Sequence, residues 1–150
     1  MTPGDDVAAR VVQLARGWVG TPYCHQAACR GAGADCLGLI RGIWSELLGR
    51  PAPPVPAYAL DWAEAGPPDL LEAALAAHLR PAPLTEARPG DVLLFRLRLR
   101  GGGRHLGVET VTSVTGAAFV HAYAGLGVVE SALSVPWRHR LTARFRFPMA

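Results

Sequence analysis

The spacing of the hydrophobic residues changes near Pro81, and this change restricts the fold more than any other feature of the chain. Before Pro81, hydrophobic residues recur at intervals of three and four, which is typical of helices that bury one face. After Pro81, they occur in short, partly alternating runs separated by glycine-containing turns, which is typical of strands. Helices followed by consecutive strands with short connections predict an α+β fold with an antiparallel sheet.

The same pattern predicts N-terminal helices packed on a C-terminal sheet of about five strands. The helices run from Asp5 or Asp6 to about Trp18, from Cys36 to the residue before Gly49, and over residues 69–79. The strands cover residues 92–99, 105–111, 117–123, 127–133 and 144–147. Residues 50–68 are rich in proline and predict an ordered surface loop. They do not predict a linker between domains, because neither flanking segment looks like a complete domain by itself.

Length and composition favour one domain. The chain has 150 residues, half of them hydrophobic, which is enough for a substantial core and excludes disorder of the whole chain. We therefore expect residues 1–150 to form a single domain. The net charge is +3, and no basic run is interleaved with aromatic residues, so nucleic acid is not an expected partner.

The cysteines and the hydropathy pattern indicate where the chain is made. Cys24, Cys29 and Cys36 are an odd number of cysteines and do not indicate a disulfide scaffold. Residues 1–6 lack a basic region followed by an apolar run, and no apolar stretch is long enough to span a bilayer. We expect a soluble chain made in the cytoplasm without a signal peptide or membrane insertion. If it acts outside the cell, another component must carry it there.

Cys36 stands at the start of the second predicted helix. Asp35 is a suitable N-cap, because its carboxylate can accept hydrogen bonds from the free amides of the first turn. Those amides and the positive end of the helix dipole favour the thiolate. The sequence therefore predicts a nucleophilic sulfur that alkylates before Cys24 and Cys29 at pH 7. The alternative is a small, buried, unreactive side chain, as most cysteines are.

Two histidines lie on neighbouring predicted strands. Alternation puts His105, Gly107 and Glu109 on one face of the first of these strands. A turn centred on Val114 places His121 opposite Gly107, on the same face. His105 is then a diagonal neighbour of His121, with Cβ atoms about 7 Å apart. The missing side chain of Gly107 leaves room between the two rings.

A thiol at a helix start and two adjacent imidazoles are the groups that nucleophilic acyl transfer requires. We assign Cys36 as the nucleophile, His105 as the base and His121 as the group that orients His105. Glu109 is the alternative orienting group. The amide of Cys36 is expected to stabilise the oxyanion, and this chemistry requires no cofactor.

Five short motifs, in their order along the chain, resemble those of the NlpC-type cysteine peptidases of bacterial cell walls. They are Gly20-Thr21-Pro22-Tyr23, Asp35-Cys36-Leu37-Gly38-Leu39, residues 89–95, His105-Leu106-Gly107-Val108 and Val120-His121-Ala122. The resemblance implies a papain-like fold and cleavage of peptide stems in peptidoglycan, commonly beside a D-glutamyl residue. It implies the catalytic set Cys36, His105 and His121, with Tyr23 near the thiol as a hydrogen-bond donor. Tyr23 and Asp35 are assigned to support of the substrate and the oxyanion.

Leu37 stands where most members of that family have a serine after the cysteine. This variant, residues 125–131 and the ending at residues 145–148 are similar to a subgroup found in phage tails and gene transfer agents. The resemblance implies that tail proteins are partners and that a tail-like particle delivers the chain to the cell wall. Cys24 to Gln26 and Cys29 stand where relatives often have Trp-Gly-Gly, which predicts a different substrate groove.

Two other classes of function stay open. One is a metal site built from Cys24, His25, Cys29, Cys36 or His105, although zinc sites usually have more closely spaced cysteine pairs. The other is a non-enzymatic assembly domain of a phage-like tail, because a fold can persist without its activity. The assignment adopted here has no metal and no cofactor.

Overall fold

A computed structural model describes residues 2–53, 70–97 and 104–148. Its helices are α1 (Pro3–Gly17), α2 (Cys36–Leu48), α3 (Leu70–His78) and α4 (Val135–His139). Its strands are β1 (Ala28–Cys29), β2 (Gly33–Ala34), β3 (Arg80–Ala82), β4 (Val92–Phe95), β5 (His105–Val111), β6 (Ala118–Tyr123), β7 (Gly127–Ala132) and β8 (Leu141–Arg146). Within the described residues, no helix has the length and apolar composition needed to cross a membrane.

The large sheet has the strand order β3-β8-β4-β5-β6-β7, and every neighbouring pair is antiparallel. Strands β1 and β2 form a separate small hairpin. The predicted α+β fold, with N-terminal helices and an antiparallel sheet, is confirmed. The sheet has six strands because the short edge strand β3, which alternation alone did not reveal, pairs with β8.

The start of α1 differs from the prediction. The helix begins at Pro3 with Thr2 as its N-cap, not at Asp5 or Asp6. The Thr2 hydroxyl accepts from the Asp5 amide at 3.1 Å, and the Asp5 carboxylate accepts from the Thr2 amide at 3.2 Å. This reciprocal capping box, with proline at the first helical position, defines the helix start better than an acidic residue alone.

The second helix follows the sequence prediction at both ends. Asp35 caps it, and Gly49 ends it with a left-handed conformation at φ 69°. The face of α2 that carries Leu39, Ile40 and Ile43 is buried against the sheet.

Two groups of buried side chains cover the two faces of the large sheet. The first joins the helices to the sheet through Leu106, Val108, Val120 and Ala122, and it includes Cys36. The second is a smaller cluster on alternate positions, formed by Leu93, Phe95, Phe119 and Leu133, with Trp137 packed against it. Because side chains alternate along a strand, His105 and His121 share the face of this second cluster.

Several predicted segments lie partly or wholly outside the described residues. The predicted strand 92–99 ends at Phe95 in the structure, and residues 98–103 lie outside the described part. The same holds for residues 54–68 of the proline-rich segment.

Candidate active site

Cys36 is the first residue of α2 and is 8% exposed. The backbone amides of Leu106, Leu37 and Cys36 itself lower the pKa of the thiol. Burial and the charge of Asp35 outweigh them and raise this pKa to about 12. The predicted resting thiolate is therefore wrong, because the cost of burying the anion exceeds the stabilisation offered by the helix start.

Asp35 is 2% exposed, and both of its carboxylate oxygens accept hydrogen bonds from the backbone. Oδ1 accepts from the Gly38 amide at 2.7 Å, and Oδ2 accepts from the Gln26 amide at 2.8 Å. A carboxylate does not stabilise an oxyanion, so the support that Asp35 gives is positional. It holds the loop before α2 against the first turn of the helix.

Tyr23 forms a parallel bridge with Ala34, next to Asp35. Burial raises the pKa of the Tyr23 phenol, and electrostatic interactions with Asp35 and with Cys36 raise it further. The phenol therefore stays protonated and can donate a hydrogen bond. Its role as a donor to the thiol stays a prediction.

The two histidines are joined directly. Val108 lies opposite Val120 and Glu109 opposite Phe119, a register that sets Gly107 level with His121, as predicted. His105 Nε2 lies 2.8 Å from His121 Nδ1. His121 Nε2 in turn lies 2.9 Å from the Ser131 hydroxyl on β7.

Aromatic rings surround this histidine pair. Phe119 stacks on His121 with centroids 4.2 Å apart, and Trp137 stacks on His105 at 5.5 Å. The sequence pattern predicts no special role for Trp137 and does not distinguish Ser131 from its neighbours. Alternation places Ser131 on the same face of β7 as Val129, the residue paired with His121. The alternation of side chains along β7 could therefore have identified Ser131. Trp137 belongs to the short helix after β7, for which the sequence offers no such pattern.

Burial keeps both imidazoles neutral. It lowers the pKa of His105 to about 3, with a further contribution from His121, and lowers the pKa of His121 to about 4. A neutral ring carries one N–H and one lone pair, so each member of the pair can donate to one neighbour and accept from another.

The Cys36 sulfur lies within hydrogen-bonding reach of the backbone of β5. The Leu106 amide, which lowers the thiol pKa, belongs to the residue directly after His105. In the described part of the chain, no hydrogen bond joins the Cys36 sulfur to a histidine ring, and His105 Nδ1 has no hydrogen-bond partner. The described part of the site therefore holds a neutral thiol and a neutral imidazole that no hydrogen bond joins.

Solved structures resemble this fold, although no known family model and no curated protein matches the sequence. A lipoprotein-like protein of the NLP/P60 family from Staphylococcus aureus has a TM-score of 0.62 and 20% identity, over 95% of this chain and 41% of that one. The NlpC/p60 domain of the peptidoglycan hydrolase SagA has a TM-score of 0.58 and 21% identity, over 93% of this chain and 98% of that one. An NlpC/P60 family protein from Bacillus cereus has a TM-score of 0.63 and 16% identity, over 93% of this chain and 40% of that one.

The chain has the NlpC/P60 fold. It spans about two fifths of the S. aureus and B. cereus chains and nearly all of the SagA domain. The fold implied by the sequence motifs is therefore confirmed, at a level of identity that by itself shows the fold alone.

Glu109, the alternative orienting group, serves another purpose in this NlpC/P60 fold. Its carboxylate lies 2.5 Å from Arg144 Nη1, and the same nitrogen lies 2.9 Å from Asp91 Oδ2. Arg146 completes the network with Nε 3.0 Å from Asp91 Oδ1. The assignment of Glu109 to His105 is wrong, because an ion pair between strands engages its carboxylate.

The three cysteines of the chain lie in different environments. Cys24 and Cys29 are exposed, whereas Cys36 is buried. Within residues 2–53, 70–97 and 104–148, no three His, Cys, Asp or Glu side chains form a group that could hold a metal ion.

The order of cysteine alkylation follows from these environments. At pH 7, iodoacetamide should modify Cys24 and Cys29 before Cys36, because burial raises the pKa of the Cys36 thiol and restricts access. Peptide mapping by mass spectrometry after timed exposure measures the order. In urea the three cysteines should react alike, which serves as the control. Preferential modification of Cys36 in the native protein would contradict the buried, neutral thiol.

The stability of the fold should rise with pH between about 4 and 6.5. Unfolded histidines bind protons below their ordinary pKa, whereas the pKa values of folded His105 and His121 are lowered, to about 3 and about 4. The contribution of the two neutral histidines to the free energy of unfolding is therefore complete above pH 6.5. It falls as the pH is lowered, by up to about 1.4 kcal/mol per pH unit for each histidine.

Urea unfolding at pH 4.5, 5.5, 6.5 and 7.5 measures this dependence. The variant His121→Gln lacks one of the two imidazoles. Its free energy of unfolding should therefore rise with pH about half as steeply in the upper part of this range. The difference between the two proteins removes the contribution of the carboxylates. Equal slopes would show that His121 is not held neutral in the folded state.

Proposed function

We propose that this chain is a cysteine peptidase that hydrolyses the peptide stems of peptidoglycan. The observation that carries the proposal is the pairing of His105 with His121 on β5 and β6, together with a cysteine at the start of α2 whose sulfur is reached by the backbone amide of Leu106, the residue after His105. The NlpC/P60 fold supports it, and one structural neighbour is described as a peptidoglycan hydrolase.

Cys36, His105 and His121 each have a separate role in the proposed reaction. The Cys36 sulfur attacks the scissile carbonyl while its proton passes to His105 Nδ1, and the Cys36 amide donates to the oxyanion. The C–N bond then breaks, and His105 returns the proton to the leaving amine. Water, deprotonated by His105, hydrolyses the thioester. His121 keeps the His105 ring in place throughout.

The two resting pKa values make the timing of proton transfer important. A thiol with a pKa of about 12 does not yield its proton spontaneously to an imidazole with a pKa of about 3. The thiolate forms only when substrate brings the sulfur and His105 Nδ1 together and the carbonyl takes up the developing charge. Such a site protects the thiol from reaction in the absence of substrate.

The role of His121 predicts a graded loss of activity. His105→Ala should lose nearly all of the hydrolytic rate, because nothing replaces the base. His121→Asn and His121→Gln should retain part of the rate, because an amide keeps one hydrogen bond to the imidazole of His105. Initial rates on purified sacculi measure both, with Glu109→Gln as the comparison. A complete loss in Glu109→Gln with none in His121→Ala would return the orienting role to Glu109.

Mass spectrometry of the products from purified sacculi tests the proposed activity. We expect stems cut beside the D-glutamyl residue, a position that the sequence motifs imply, and equal activity with and without EDTA. Intact stems under all conditions would refute the peptidase. Stoichiometric zinc, with unfolding on chelation, would instead support a metal site.

We further propose that a phage-like tail or gene transfer agent carries the chain to the cell wall. The support is in the sequence: Leu37 after the cysteine, residues 125–131 and the ending at residues 145–148. We expect the protein to copurify with particles near the tail tip. Trimming the proline-rich segment 50–68, most of which lies outside the described residues, should weaken incorporation more than turnover. Particles without the protein, alongside a free cytoplasmic pool, would refute this placement.

A non-enzymatic assembly domain is the second candidate, and one observation favours it. The thiol is neutral, buried and not hydrogen-bonded to either histidine. Particles assembled with Cys36→Ala separate the two functions. Loss of wall penetration with normal assembly supports the peptidase, whereas normal penetration supports the assembly role.

A further inference from the structure

Three side chains on neighbouring strands form one hydrogen-bonded row. His105 Nε2 lies 2.8 Å from His121 Nδ1, and His121 Nε2 lies 2.9 Å from the hydroxyl of Ser131. We propose that Ser131 is a positioning residue that holds His121 in the one neutral tautomer in which His105 can act as a base. This inference rests on the proposed function, and it adds a fourth member to the site.

The direction of the row decides whether His105 can accept a proton. A neutral imidazole has one N–H and one lone pair. To receive the thiol proton on Nδ1, His105 must carry its own proton on Nε2 and donate it to His121 Nδ1. His121 must then carry its proton on Nε2, where the Ser131 oxygen is the acceptor. In the opposite direction the His105 proton is on Nδ1, where it blocks the transfer.

Among residues 2–53, 70–97 and 104–148, no other charged acceptor is available to His121 Nε2–H. Glu109 is engaged by Arg144, and Glu130 accepts from Thr110 Oγ1 at 2.6 Å and from Arg16. The faces and edges of the His121 ring meet the aromatic rings of Phe119, Tyr123 and Trp137. A buried N–H without an acceptor is costly, so loss of the hydroxyl favours the tautomer with the proton on His121 Nδ1.

Matched substitutions test this role. Ser131→Thr keeps the hydroxyl, whereas Ser131→Val has the same shape without it, and Ser131→Ala removes it with little change in volume. We expect Val and Ala to lower kcat by about fivefold or more, the ratio that corresponds to about 1 kcal/mol for one hydrogen bond, and Thr to retain the rate. KM should not change. Ser134→Ala is the control, because the Ser134 side chain makes no capping hydrogen bond.

A double-substitution series shows whether Ser131 acts through His121. In the background of His121→Ala, Ser131→Val should cause no further loss, because the residue that it orients is absent. An equal fivefold loss in that background, or in Ser134→Ala, would overturn the proposal. Retention of the full rate by both Ser131→Val and Ser131→Ala would also overturn it.

Histidine ¹⁵N spectra provide a test that needs no peptidase activity. At pH 7 the wild type and Ser131→Thr should show protonated Nε2 and unprotonated Nδ1 in both rings. Ser131→Val should show a shift of His121 toward the Nδ1–H tautomer. Unchanged tautomers in Ser131→Val would overturn the proposal. If the wild type cleaves no stems, the peptidase assignment fails, while these spectra still decide whether Ser131 sets the tautomer.

Discussion

Replacing Cys36 by alanine should lower stem-peptide hydrolysis by at least about a thousandfold and leave the fold intact. In the proposed mechanism the substitution removes the sulfur that bonds to the substrate, and the described residues offer no other thiol at the start of α2. The side chain is buried but small, so the change in stability should be about 1 kcal/mol or less. Product release from sacculi and thermal unfolding measure the two quantities.

The other cysteines provide the matched control for this prediction. Cys24, which lies before β1, and Cys29, which lies in β1, are both exposed, so replacing both by alanine should leave hydrolysis within about twofold of the wild type. Full hydrolysis by Cys36→Ala would end the cysteine-peptidase assignment. Loss of hydrolysis in Cys24→Ala/Cys29→Ala, with none in Cys36→Ala, would indicate that Cys24 or Cys29 is the nucleophile.

Replacing Arg144 by methionine should cost about 3–5 kcal/mol of unfolding free energy at pH 7.5. The Arg144 side chain is 3% exposed, and its guanidinium lies between the carboxylates of Asp91 and Glu109. Methionine fills a similar length but leaves the buried carboxylate of Glu109 without its ion-pair partner, and leaves Asp91 with Arg146 alone. Urea unfolding measures the loss.

The pH dependence distinguishes this explanation from a simple packing defect. Burial already raises the pKa of Glu109, and Arg144 lowers it. Without Arg144 that pKa rises further, so the folded variant binds a proton that the unfolded chain releases, and the deficit should shrink as the pH falls toward 5. Arg88→Met is the control, because its ion pair with Glu86 is exposed and worth about 1 kcal/mol or less. Equal losses in the two variants, or a deficit independent of pH, would contradict the buried network.

Local features of the sequence determined the elements around the candidate nucleophile. Asp35, the hydrophobic spacing after Cys36, and Gly49 predicted the bounds of α2, because capping and left-handed termination depend on residues within one turn. Alternation and the turn centred on Val114 predicted the register that joins His105 to His121, because the period along a strand is two. The position of Thr2 would have corrected the start of α1 by the same local argument.

Only the tertiary structure decided the protonation of the site and the partners of its polar groups. Helix position alone predicted a thiolate at Cys36, but desolvation depends on everything packed around the sulfur, and it raises the thiol pKa to about 12. Glu109 shares a strand with His105, yet its carboxylate pairs with Arg144, which lies 35 positions along the chain. Ser131 reaches His121 only because β7 pairs with β6, so its role was fixed by the sheet and not by its neighbours in sequence.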